Sequence, residues 1–141
     1  MINSLNQFQV KLQSDYSLIL PVLLVDQISK LTTDFNVSYD NIFIAIKSAL
    51  DGLSYSWNFG MPGRETPLLY CRKPNSFQSG DYSISKDEKF PNMYTAAVYL
   101  NSIKENILGH DTNINALKLR VEVYAKLTII KKCISELSIT F

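Results

Sequence analysis

Residues 91–109, PNMYTAAVYLNSIKENILG, are the stretch on which the fold class turns. Pro91 suits a first helical turn, where its missing N–H costs nothing. Behind it Met93, Ala97, Leu100, Ile103 and Ile107 recur at three- and four-residue steps, with Asn92, Thr95, Tyr99, Ser102 and Asn106 opposite. That spacing predicts an amphipathic helix with Gly109 as its C-cap. Asp111 or Thr112 then caps a last helix. Its apolar line runs Leu119, Val123, Leu127, Ile130, Ile134 and Leu137, while Lys118, Glu122 and Lys126 face solvent.

Working upstream, Lys73 to Lys89 is polar and carries Pro74 and Gly80, so residues 72–90 read as a long loop of the kind that carries function. Leu68 to Cys71 is a short extended apolar insertion, preceded by the breakers Gly60, Pro62, Gly63 and Pro67. Before these, Ile42, Ala45, Ile46, Ala49, Leu53 and Trp57 predict the clearest helix of the first half. Pro21 opens another, with Val22, Val25, Ile28 and Leu31 on one face. Residues 1–16 fit both a strand and a helix period over too short a span to separate, and are read as a helix or an ordered arm. The expected architecture is a single all-α domain over residues 1–141, a bundle of about four or five helices with one long polar loop.

Composition narrows the function classes. The chain has 141 residues, 14 basic and 13 acidic side chains and a formal charge of +1, with no block of Lys or Arg such as phosphate backbones attract. Nucleic acid is excluded as an expected partner. The longest apolar run, Leu18 to Val25, is broken by Pro21 and falls far short of the ~20 residues that span a bilayer. No basic n-region precedes it and no small-residue cleavage site follows, so no signal peptide is read.

Catalytic chemistry finds little purchase. Nucleophilic catalysis needs a base beside the nucleophile, and the single histidine, His110, falls in a turn between helices. Cys133 lies at a core helical position, whereas a catalytic thiol needs an exposed electropositive setting. Asp111-Thr112-Asn113-Ile114-Asn115 with Glu122 imitates a calcium loop. Ala116 stands where the sharp turn needs glycine, and Lys118 adds positive charge, so a capped helix is the better reading. No enzyme activity, metal or cofactor is expected. The binding candidates are aromatic and charged residues of the kind interfaces concentrate: Phe59, Met61 and Arg64 in the Pro/Gly segment, Tyr82 in the long loop, and His110 with Asp111 in the turn.

Ala49-Leu50-Asp51-Gly52, Tyr70-Cys71-Arg72-Lys73-Pro74, Val98-Tyr99-Leu100 and the run from Ala116 to Cys133 carry a resemblance. Over about residues 42 to 133 the chain resembles the small all-α immunity proteins of type VI secretion, which neutralise cell-wall amidase effectors. The resemblance implies a protein that performs no reaction and occludes the cleft of a secreted peptidoglycan hydrolase through a protruding loop, as a homodimer. It also implies a Cys71–Cys133 disulfide, closing a loop of about sixty residues and contributing roughly 4 kcal/mol on the chain-entropy model. It places the protein in the periplasm once a leader is removed; without it a cytoplasmic setting is expected. The competing expectation is a structural or adaptor module of a bacterial or phage assembly.

Overall fold

After Pro91 the chain runs as two antiparallel strands where the spacing predicted a helix. The computed structural model describes residues 1–52, 58–59, 69–72, 81–87, 89–100 and 103–140. Its elements are α1 (Leu5–Tyr16), α2 (Val22–Asp34), α3 (Tyr39–Asp51), β1 (Asn58–Phe59), β2 (Leu69–Arg72), β3 (Asp81–Lys86), β4 (Tyr94–Leu100), β5 (Ile103–Asp111) and α4 (Ile114–Thr140). The all-α expectation is therefore replaced by a mixed α/β architecture, and residues 81–86 of the expected polar loop are strand β3. By contact the chain divides into two units. One comprises Met1–Gly52 with Lys126–Phe141, the other Leu53–Ala125.

In the helical unit, α1 and α3 start where the sequence supplies a side-chain cap. The Ser4 hydroxyl accepts from the Gln7 N–H at 3.2 Å, and the Gln7 side chain accepts from the Asn3 N–H at 2.6 Å. This is close to the reciprocal arrangement of a capping box. Ser17 ends α1 in the left-handed region and donates its N–H to the Gln13 carbonyl. Ser38 caps α3 by accepting from the Asn41 N–H at 3.2 Å. Phe8 of α1 meets Phe43 of α3 edge to face at 6.1 Å and Tyr39 at 6.0 Å. Leu12, Leu24, Ile28, Leu31, Ile42, Ile46, Ile130 and Ile134 are also buried, so the core takes one stripe from each helix.

The disulfide is absent. Cys133 is a free thiol whose Sγ lies 4.0 Å from the Ala45 carbonyl of α3, and burial pushes its pKa up, with the Glu136 charge adding to the rise. Cys71 stands on β2 opposite Tyr82. The sulfur of Cys133 is thus turned into the helical core, where it packs as a small apolar group.

In the second unit the strands form an antiparallel sheet in the order β1-β2-β3-β4-β5. Tyr82 and Ile84 of β3 and Ala96 and Val98 of β4 point to one face, and Leu117, Val121 and Ala125 of α4 close over them. Those three helical residues sit four apart and stack along one side of α4. The expected apolar line through Leu119 and Val123 lies elsewhere on the helix. Leu119 is 63% exposed, whereas Leu117 is fully buried. Two register shifts interrupt the β4–β5 ladder, leaving Leu108 and Glu105 as extra residues on β5. Gly109 lies against the Arg120 side chain of α4, which would overlap any Cβ at that position.

The physical reason for the strands is visible in 94–103. Tyr94, Thr95, Val98, Tyr99 and Ile103 are aromatic or β-branched residues that fit a pleated surface. A short apolar run obeys both periods, and pairing with β3 selects the two-residue one.

Candidate functional site

The helical unit carries an open groove of about 450 Å³ between α2 and the second half of α4. Its apolar wall is Leu23, Leu24, Leu31 and Phe35, with Lys30 and Lys131 as its charged groups. Leu23, Gln27, Leu31 and Phe35 follow one another at four-residue steps, so the groove runs along α2 rather than across it. The segment that leads into it is exposed: Ile19 is 77%, Val22 76% and Leu23 65% accessible. Pro21 explains part of this. It starts α2 with no side-chain cap, and the buried stripe begins only at Leu24.

The sheet unit holds a polar cluster on the face away from α4. His110 Nδ1 is 3.0 Å from Thr95 Oγ1 and 3.2 Å from Asp87 Oδ2, and Thr95 Oγ1 donates to Asp87 Oδ2 at 3.1 Å. Because the single hydroxyl proton goes to Asp87, the contacts at Nδ1 are satisfied when Nδ1 carries a hydrogen. Asp87 Oδ1 in turn accepts the N–H groups of Lys89 at 2.8 Å and Phe90 at 3.1 Å. These backbone donors, Lys89 first and Phe90 second, hold the Asp87 carboxyl below the usual aspartate range, with Thr95 adding to them against some desolvation. The result is a tied turn that leaves Phe90 exposed and the imidazole half open to solvent. One row away on the same face, the Ser83 hydroxyl is buried with no hydrogen-bond partner among the described residues.

The described binding candidates singled out by sequence lie on three strands, β1, β3 and β5. Tyr82 is buried against Tyr124 with ring centroids 6.1 Å apart, so it belongs to the core rather than to a contact surface. His110 lies on β5 rather than in a turn between helices. Asp111 accepts the Asn113 N–H at 2.8 Å and leads into α4, whose first N–H groups are capped by the Asn113 side chain. Phe59 is on β1, paired with Leu69. Met61 and Arg64 lie outside the described residues. Among the described residues no group of three or more His, Cys, Asp or Glu is placed to hold a metal ion, and no helix is long and apolar enough to cross a membrane.

Sequence reasoning missed Asp87, Thr95, Lys30, Lys131 and Phe35. Alternation at Tyr94, Ala96 and Val98 was the signal that would have put Thr95 beside His110. Nothing local links Lys30 to Lys131. No protein-family model, curated protein or solved structure matches the chain.

Proposed function

We propose that this chain is a non-enzymatic binding protein that engages another protein through the helical unit. The carrying observation is the exposed apolar run Ile19, Val22 and Leu23 at the entry to a groove. Isolated apolar side chains on a surface are ordinary, but Leu23 is exposed and lines a groove, with exposed Ile19 and Val22 just before it in sequence. Burying three such side chains on binding contributes about 1.5–3 kcal/mol each before ordering costs are subtracted.

The particular form implied by the sequence resemblance is inhibition of a secreted peptidoglycan amidase. The sheet removes the all-helical part of that resemblance, so the motifs alone support it. Two measurements separate the levels. A photo-crosslinking residue at Val22 is expected to trap a single dominant protein that the same residue at Lys86, in the other unit, does not trap. Equal trapping at both positions, or none, would overturn the binding reading. Titration into a peptidoglycan amidase digesting cell-wall sacculi is expected to stop release at equimolar ratio. Undiminished digestion removes the amidase and leaves the binding reading standing. An adaptor that associates with itself would instead give crosslinks between copies of this chain.

A further inference from the structure

We infer that the groove between α2 and α4 receives an acidic amphipathic helix of the partner, a deepening that rests on the protein-binding reading above. Length is the first argument. α2 has 13 residues and is about 20 Å long at 1.5 Å per residue, so a groove lined from Leu23 to Phe35 follows nearly the whole helix. An elongated groove with an apolar wall suits a helix presenting residues at three- and four-residue steps.

Charge is the second. Lys30 and Lys131 line the groove, no carboxylate lines it, and neither lysine has an ion-pair partner among the described residues. Two other lysines of the unit are paired instead. Lys11 pairs with Asp15 at 3.2 Å and Lys47 with Asp51 at 2.9 Å. The two ammonium groups at the groove come from α2 and α4, so they lie on different walls. Carboxylates on either side of an apolar stripe would meet both.

Polar capacity is the third. Ser135 also lines the groove, while Ser138 donates its hydroxyl to the Ile134 carbonyl at 2.8 Å and keeps its lone pairs as acceptors. Neither adds negative charge. The groove therefore accepts apolar and anionic groups and gives a cationic helix no counter-charge.

The test uses the full chain and three synthetic peptides of about 18 residues, long enough to populate a helix. They share one stripe of Leu and carry Glu, Gln or Lys at the flanking positions. Fluorescence anisotropy is expected to show the Glu peptide binding about two- to thirtyfold more tightly than the Gln peptide, the range given by two solvent-exposed ion pairs. The Lys peptide should bind weakest. The preference should shrink with added salt and invert in a K30E/K131E variant. Both substitutions are at groove positions outside the core, and circular dichroism checks that the variant is folded.

Equal affinity for the Glu and Gln peptides overturns the charge inference while leaving a protein-binding groove. Binding of none of them, with a crosslinked partner still trapped at Val22, overturns the helix-in-groove inference and keeps the binding reading. Self-association that L23D abolishes would make a second copy the occupant and overturn the acidic helix.

Discussion

His110 and Asp87 face each other at 3.2 Å across strand β4, one near the end of edge strand β5 and the other at the start of the turn that follows β3. Asp87 is mostly shielded, with 11% of its side chain exposed, while half of His110 faces solvent. The carboxylate therefore acts as an anchor for the turn, and the imidazole forms its outer face.

The anchoring predicts a specific acid sensitivity. The folded-state pKa of Asp87 is depressed, so its contribution is complete above the unfolded value of about 3.9 and is lost as pH falls through the lower folded value. Thermal melts from about pH 6 down to about pH 2 should show the native protein losing stability more steeply than Asp87→Asn at the acid end. Parallel curves would mean that the carboxylate is not coupled to folding.

The face that α4 buries is open to a paired substitution. Leu117→Ala removes a fully buried side chain and should cost about 2–5 kcal/mol, measured by denaturant titration. Leu119→Ala, two positions on and largely exposed, should fall within about 0.5 kcal/mol of the native protein. The opposite order would restore the line expected from sequence.

Cys133 should behave as a free but slow thiol. Alkylation followed by mass spectrometry without reductant should label it in the denatured chain. In the folded chain its rate should keep rising with pH beyond the ordinary thiol value of about 8.5, because burial disfavours the thiolate. A Cys133 that stays unlabelled after denaturation would return the disulfide.

How much of this was legible follows from which signals are local. α3 announces itself through Ser38 as cap and Ile42 and Ile46 on one stripe, and both positions are buried. Cap and period agree there. In α4 the helix was legible but its orientation was not, since Leu117/Val121 and Leu119/Val123 are two interleaved apolar lines of equal spacing. Contact with Ile84 and Val98 decides between them. The β4–β5 hairpin was lost because Ala96 and Ala97 suit both periods, and the Asp87–Thr95–His110 cluster was lost with it. The groove could not be read at all: its two lysines are about a hundred residues apart and meet only in the folded unit.

The doubled irregularity of β5 has a consequence for solubility. Nine residues of β5 run beside seven of β4 at the border of the sheet, a length that ordinarily offers a template for another chain's backbone. Leu108 and Glu105 break the repeat of outward N–H and C=O groups at two points, so no neighbouring strand can match it over more than a few residues. Deleting Glu105 would straighten one of those points and favour stacking of molecules into fibrils.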